Sequence, residues 1–148
     1  MTVAYHINEG INISEFIEVL EKSGLGERRP IDRPDVIQKM LEHCNLLISA
    51  RNEQNQLIGV ARSLTDFSYC CYLSCLAVDE SYKNKGIGKE LIRRTMLKIG
   101  ETATLILLAA PGAEKYYDKL GFSQSNNAYI IQRGDSHQAV LQKLQSKN

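Results

Sequence analysis

Apolar positions recur with two different periods in the first third of the chain, and each period predicts a type of element. Apolar and polar residues alternate over positions 3–7, which indicates a first strand. Apolar residues then recur at helical spacing in two segments. The first segment follows a capping box of Asn12 and Glu15, and the second follows Asp32, with Pro34 in its first turn. We therefore expect two helices after the first strand.

Four apolar segments predict the next strands. Two of them, Leu46–Asn52 and Leu57–Ser63, flank a polar turn and are predicted to pair as a hairpin. A third strand is predicted at Tyr69–Val78. The fourth segment, Ala103–Ala109, is continuously apolar, which is typical of a strand that is buried on both faces.

The remaining segments predict three helices and one last strand. A polar loop with glycines, Asp79–Gly88, leads into a helix with one apolar side. A helix at Ala113–Leu120 is expected to end at Gly121, and a strand at Tyr129–Arg133 precedes a C-terminal helix at Ser136–Leu144. Hairpin-linked strands and a central strand–loop–helix–strand unit together predict a single α/β domain over residues 1–148, built on a mixed sheet.

Composition and charge narrow the classes of function. Of the 148 residues, 24% are charged and 43% are hydrophobic, and the net charge is +1, so we expect a globular domain without a nucleic-acid partner. The first ten residues lack a signal-peptide pattern, and no apolar run nears the ~18 residues of a membrane span, which predicts a cytoplasmic protein without membrane contact. Four cysteines fit neither metal-ligand nor redox spacing, so we expect buried, reduced thiols and no metal site: Cys44, Cys70, Cys71 and Cys75.

The loop after the third predicted strand carries the most specific chemistry. Gly86 and Gly88 remove side chains where a helix begins, so a phosphate can approach the first backbone N–H groups of that helix. Taken alone, this pattern is as typical of an ordinary helix start with solvated lysines as it is of a phosphate site. The loop lacks the glycine spacing of a P-loop, and Leu91 stands where a dinucleotide fingerprint has its third glycine. Three lysines add positive charge here: Lys83, Lys85 and Lys89.

The same segment resembles the acyl-CoA-binding motif of the GNAT N-acetyltransferase superfamily. That motif has Arg or Gln, two residues, Gly, one residue, then Gly or Ala, after a strand that ends in a sequence like Leu-Ala-Val-Asp. Here the strand ends in Leu76 to Asp79, and Lys83 stands where the family usually has Arg or Gln, which keeps the charge but loses the planar fork. The resemblance implies acetyl-CoA as cosubstrate, bound by Leu76, Ala77, Val78, Lys83, Asn84, Lys85, Gly86, Ile87, Gly88 and Lys89.

A second motif lies about thirty residues downstream. The segment Ala113–Phe122 is similar to a helix of the same family in which a tyrosine is followed by Gly-Phe, and Tyr117 matches the general acid of the family. The family often has an asparagine where this chain has Ala110. Two motifs in the right order imply the GNAT fold, an α/β domain with a mixed central sheet flanked by helices.

The reaction that the resemblance implies needs an oxyanion site and a way to deprotonate the amine. The resemblance places the oxyanion donors at the backbone N–H groups of Leu76 and Val78, beside a strand irregularity. Many relatives have a glutamate on this strand, but Tyr69–Cys75 contains no carboxylate. The nearest carboxylate is Asp66, for which three roles stay open: general base, anchor for the amine, or turn residue.

The leading interpretation is therefore an N-acetyltransferase in which a primary amine attacks acetyl-CoA directly in a ternary complex. The acceptor is expected to be a small-molecule or peptide amine that contacts the loop Gly24–Pro34. Arg28 and Arg29 in that loop indicate either an anionic group on the acceptor or an exposed basic loop. The alternative function is a sensor that binds acyl-CoA without turnover. Dimers are common in the family, so the resemblance allows a homodimer.

Overall fold

The computed structural model describes residues 2–146, which form two compact units that divide between Leu108 and Ala109. The first unit contains five strands: β1 (Ala4–Ile7), β2 (Leu46–Arg51), β3 (Leu57–Thr65), β4 (Cys70–Val78) and β5 (Thr104–Ile106). It also contains three helices: α1 (Ile13–Ser23), α2 (Pro34–His43) and α3 (Ile87–Ile99). The second unit contains α4 (Glu114–Lys119) and α5 (Asp135–Gln145).

The strands form one mixed sheet in the order β1-β2-β3-β4-β5. Neighbours from β1 to β4 are antiparallel, whereas β5 runs parallel to β4. The predicted hairpin of β2 and β3 is confirmed. The predicted capping box is also confirmed, because Asn12 accepts from the backbone N–H of Glu15 and the Glu15 carboxylate accepts from that of Asn12.

Helices cover both faces of the sheet in the first unit. Val60 on β3 is buried in a cluster with Phe16 of α1 and Ile37 of α2. Gly59, the preceding residue, must face the other way because side chains alternate along a strand. A Cβ at Gly59 would lie 3.2 Å from Leu91 and 3.3 Å from Ile87, so this glycine lets α3 pack closely on the opposite face.

Two strand predictions in the last third of the chain are wrong. The segment Ala103–Ala109 forms only the three-residue strand β5, whose residues alternate between exposed and half-buried instead of being buried on both faces. Its one strand partner is β4, so among the described strands it is an edge. Residues 129–133 form no strand, and Tyr129 is 98% exposed. Their β-forming composition is insufficient because an extended segment becomes a strand only when a neighbour pairs with it.

The expected burial of the four thiols is confirmed for Cys71 and Cys75 only. Cys44 is half-buried, and Cys70, the first residue of β4, is exposed. Side chains alternate between the two faces of a strand, so Cys70 and Cys71 cannot both face the same layer of the core.

Candidate active site

The loop between β4 and α3 turns the backbone sharply toward a helix start. The Asp79 carboxylate accepts from the backbone N–H of Ser81 at 2.9 Å and begins a short 3-10 helix, Glu80–Tyr82. Asn84 and Gly86 then take positive φ angles of 62° and 79°, and α3 begins at the next residue. Positive φ costs glycine nothing, so Gly86 sets the direction from which the helix starts.

The N-terminus of α3 is uncapped. Gly86 makes no side-chain cap, and the first backbone bond within the helix runs from Glu90 N–H to Gly86 oxygen at 3.0 Å. The N–H groups of the three residues before Glu90 therefore have no acceptor within the helix and point outward from its N-terminus. They carry the partial positive charge of the helix dipole. A Cβ at Gly86 would meet no atom within 4 Å, so the loop is open on this side. These groups suit a phosphate ligand.

The three loop lysines are exposed, and two of them make only weak contacts. Lys83 lies 3.7 Å from the Glu80 carboxylate, and the Lys85 ammonium lies 6.0 Å from the centre of the Tyr82 ring. Both contacts are weak at exposed sites, so the side chains are able to turn toward an anion.

Changing Lys83 should alter the affinity for CoA. We expect Lys83→Ala to weaken CoA binding about 3- to 10-fold, as for one charge-assisted contact at an exposed site, and Lys83→Arg to keep or improve it. Affinity should also fall as salt is raised. Calorimetry measures each value, with Lys98→Ala on the last turn of α3 as the control. If the wild type and both Lys83 variants bound CoA with equal affinity, Lys83 would not be part of the site.

The edge of β4 that faces away from β3 is open over half its length. The strand β5 pairs only with Cys70 to Tyr72, so Leu73–Val78 has no neighbour on this side among the described strands. Asp79 N–H bonds to Ile58 oxygen on the β3 side at 2.8 Å. Because N–H groups alternate along a regular strand, those of Val78 and Leu76 point to the open edge. The two predicted oxyanion donors therefore lie on one strand edge that leads to α3 and has no strand partner within residues 2–146.

The strand irregularity lies at Ser74, two residues before Leu76. Arg62 of β3 pairs with Cys75 and Ser63 pairs with Leu73, so Ser74 has no opposite residue. An extra residue on one strand bends that strand and increases its twist. The bend falls near the point where β5 stops pairing with β4.

Two arginines that the sequence analysis did not connect surround this irregularity. Arg29 donates from Nε to Cys75 Sγ at 3.2 Å and from Nη2 to the backbone oxygen of Ser74. Arg62 donates to the same sulfur at 3.4 Å and to Ser74 Oγ at 2.9 Å. The signal in the sequence is the position of Arg62, two residues after the core residue Val60 and hence on the same inward face of β3. Arg28, in contrast, is exposed.

Asp66 caps the turn between β3 and β4. One of its carboxylate oxygens, Oδ1, accepts from the backbone N–H groups of Tyr69, Cys70 and Ser68 at 2.8, 3.0 and 3.0 Å. These bonds, that of Tyr69 foremost, lower the pKa of Asp66 to about 2. A carboxylate of such low basicity is a poor acceptor for the proton of an amine, and the geometry favours the role of turn residue.

Replacing Asp66 with asparagine separates these roles. Asparagine keeps an acceptor oxygen for the turn but removes the basic carboxylate. We expect Asp66→Asn to keep kcat within about 3-fold and Asp66→Ala to lower the melting temperature, because three N–H groups lose their acceptor. Steady-state rates and thermal melts measure both. A large loss of kcat in a well-folded Asp66→Asn protein would instead identify Asp66 as the base.

Tyr117 lies in the second unit, on α4. Its ring makes edge-to-face contacts with the rings of Tyr116 and Phe122, at centroid distances of 5.2 and 5.5 Å. Burial raises the pKa of the Tyr117 phenol, and the neighbouring Tyr116 raises it further. The phenol therefore stays protonated at neutral pH, as a proton donor must. Ala110, which takes the place of the family's frequent asparagine, lies four residues before α4.

Within residues 2–146, no helix is long and apolar enough to cross a membrane, and His, Cys, Asp and Glu side chains form no group of three that could hold a metal ion.

Comparison with known proteins adds independent findings. The sequence model of a family described as acetyltransferase (GNAT) domain matches residues 23–138. An uncharacterised N-acetyltransferase, ycf52, of Pyropia yezoensis is 26% identical over 117 residues, which cover 78% of this chain and 67% of the relative. The histone acetyltransferase TAP1 of Glycine max is 35% identical over 77 residues, which cover 50% of this chain and 33% of the relative. The chain thus spans between about a third and two thirds of the length of these relatives.

Solved structures of other proteins share this architecture. The crystal structure of a putative acetyltransferase from Deinococcus radiodurans matches with a TM-score of 0.71 at 23% identity, over 88% of each chain. At 23% identity, this similarity shows that the fold is shared and nothing more.

Proposed function

Because the chain belongs to the GNAT acetyltransferase family, we propose that it transfers the acetyl group of acetyl-CoA to a primary amine by direct attack in a ternary complex. The observation that carries the proposal is the open edge of β4, which leads into the uncapped N-terminus of α3. A strand edge offers alternate N–H and C=O groups to the amides of the pantetheine arm. The helix end offers N–H groups and positive charge to the pyrophosphate.

The proposed cofactor site comprises two parts. Leu76, Ala77 and Val78 supply the strand edge, and the segment from Lys83 to Lys89 supplies the phosphate loop. The acetyl carbonyl then lies near the N–H groups of Leu76 and Val78, which stabilise negative charge on its oxygen.

The proposed reaction begins with a neutral amine. Its lone pair forms a bond to the thioester carbon, and the carbonyl π electrons move to the oxygen. The oxyanion then collapses, the carbon–sulfur bond breaks, and the leaving thiolate takes the proton of the Tyr117 phenol. Water removes the extra proton from the nitrogen, and solvent returns a proton to Tyr117. An amide and free CoA are the products, and no covalent enzyme intermediate forms.

The acid assignment follows from proton affinities. A thiol of ordinary pKa, about 8.5, and a phenol near 10 are close enough for proton transfer at small energetic cost. We assign no side-chain base, because Cys70–Val78 contains no carboxylate and Asp66 is held by its turn.

We also propose that both units belong to one acetyltransferase domain. The family match runs from residue 23 to residue 138 and so crosses the division at residue 108.

The second candidate function is an acyl-CoA sensor. The absence of a carboxylate on β4 favours it, whereas Tyr117 in its family motif favours catalysis. A panel of small amines, aminoglycosides and peptides, each incubated with acetyl-CoA, distinguishes the two functions by release of thiol. Release that depends on an acceptor supports the enzyme. Binding of acetyl-CoA without release for every class of acceptor would support the sensor.

A further inference from the structure

Arg62 is a buried cation. It lies on β3 with only 6% of its surface exposed. Its guanidinium donates to three acceptors, none of which is a carboxylate: Cys75 Sγ at 3.4 Å, Met40 oxygen at 3.3 Å and Ser74 Oγ at 2.9 Å. Within residues 2–146, no carboxylate forms an ion pair with it.

Arg29 brings a second guanidinium to the same place. It follows the short 3-10 helix Leu25–Arg28, in the loop between α1 and α2, and is half-buried. Its Nε group and that of Arg62 both point at Cys75 Sγ, at 3.2 and 3.4 Å. In the described part of the chain, Arg29 has no carboxylate partner either. Two positive charges therefore converge on one sulfur atom.

The other buried arginine of the described residues pairs with carboxylates. Arg51 is 7% exposed, and two carboxylates neutralise it: Glu9 at 2.7 Å and Glu15 at 2.8 Å. Removing a cation from water is costly unless an anion replaces the lost solvation. The contrast with Arg51 indicates that the anion for Arg29 and Arg62 comes from outside the chain.

The sheet face beside these arginines is open. Leu64 and Tyr72 pair across β3 and β4 and are 43% and 41% exposed. Ser74, which both arginines contact, is the irregular residue of β4 and lies two positions before Leu76. An anion at the arginines would thus lie a short distance from the strand edge at which we place the thioester.

We infer that Arg29 and Arg62 form a subsite for the carboxylate of the acceptor, so that the acceptor is a small amino carboxylic acid. This inference rests on the proposed function. Arg29 is the residue that touches the carboxylate, because it is half-buried and has a planar fork that matches two carboxylate oxygens. Arg62 is a positioning residue. It adds positive electrostatic potential at the carboxylate without touching it, and its hydrogen bonds hold Ser74 and Cys75 in place. Tyr72 and Leu64 offer apolar contact to the side chain of the acceptor.

Matched pairs of acceptors test the subsite. Each pair is an amino acid and the amine that lacks its carboxylate, such as phenylalanine and phenethylamine, and the readout is thiol release from acetyl-CoA. The wild-type protein should have a KM for the amino acid about 10- to 100-fold below that for the amine. Arg29→Gln should remove this difference by raising KM for the amino acid, with kcat changed less than about 3-fold. Arg28→Gln, a change at the exposed neighbour, is the control and should leave both values unchanged.

A second variant supplies the missing anion from within the chain. Cys75→Asp places a carboxylate between the two guanidinium groups, so it should raise KM for the amino acid and leave KM for the amine unchanged. Cys75→Ser, which introduces an uncharged side chain of similar size, should raise KM for the amino acid much less than Cys75→Asp does. This pair keeps both arginines and does not depend on the folding of a variant that lacks one.

The outcomes distinguish this inference from the proposed function. Turnover of amines without any preference for the carboxylate would overturn the subsite and leave the acetyltransferase intact. If no amine is acetylated, calorimetry of phenylalanine binding to the CoA-loaded protein still tests the subsite. Binding that Arg29→Gln abolishes would support it, and no binding to the wild-type protein would overturn it.

Discussion

Replacing Tyr117 with phenylalanine is expected to lower kcat by about 10²–10⁴-fold, the usual contribution of a positioned proton donor. The variant should fold normally and bind acetyl-CoA with nearly unchanged affinity, because only one hydroxyl group is lost. The edge contacts of the ring with Tyr116 and Phe122 involve carbon atoms that phenylalanine retains.

The pH dependence of this loss follows from the direction of the pKa shift. Burial raises the pKa of Tyr117 above its ordinary value, so the phenol stays protonated from pH 6 to pH 9. The loss should therefore persist across that whole range at saturating amine. Tyr116→Phe, one position earlier on α4, is the matched control, because burial also raises the pKa of Tyr116. We expect its kcat to stay within about 3-fold of the wild type, as for a residue outside the proton transfer.

Two results would contradict the role of Tyr117. A change in KM alone would make the residue a binding contact. An unchanged kcat would remove it from the mechanism and favour the sensor function. Rapid-quench measurement of the first turnover excludes the case in which slow product release hides a damaged chemical step.

Replacing Gly88 with leucine is expected to abolish the thermal stabilisation that CoA gives the protein. At a CoA concentration of 100 times Kd, binding stabilises the folded state by about 2.7 kcal/mol, which raises the melting temperature by about 5–10 °C in a chain of this size. Gly88 is the second residue of α3, and a leucine side chain there would block the approach of the pyrophosphate to the helix end.

The same position offers a control for folding. Gly88→Ala adds a single methyl group, and the family motif allows Gly or Ala here, so this variant should keep most of the thermal shift. Both substitutions favour a helix over glycine, so neither should lower the melting temperature of the free protein. Gly86 is less suitable, because its φ of 79° strains any other residue. A full thermal shift in Gly88→Leu would place the phosphates elsewhere.

Local signals in the sequence predicted most of the first unit. The capping box at Asn12 and Glu15 marks the start of α1 because both hydrogen bonds form between residues three apart. The polar turn between β2 and β3 likewise gives their pairing. The loop from Asp79 to Gly86 is predictable because glycine placement and the following apolar helix are both local features.

The features that the sequence did not predict correctly, or did not predict at all, depend on distant residues. The apolar run at Ala103–Ala109 indicates burial, but the length of β5 is set by how far it pairs with β4. The position of the irregularity at Ser74 depends on the register between β3 and β4, which no local pattern encodes. The convergence of Arg29 and Arg62 joins two segments over thirty residues apart, so composition alone shows them only as separate basic residues.

Asp66 shows the limit of reading chemistry from residue type. A carboxylate near the catalytic strand fits a base, an anchor or a turn equally well in the sequence. Only the three backbone N–H groups on one oxygen distinguish these roles.

A single-turnover experiment tests the central claim most directly. The protein, in excess over acetyl-CoA labelled in its acetyl group, is mixed with an acceptor amine and quenched at intervals, and the label is followed on the protein, on CoA and on the amine. Direct transfer predicts that label passes from CoA to the amine at the rate at which free thiol forms, and that none becomes attached to the protein. Label on the protein before the amine, or retention of all label on CoA with every acceptor, would contradict the account.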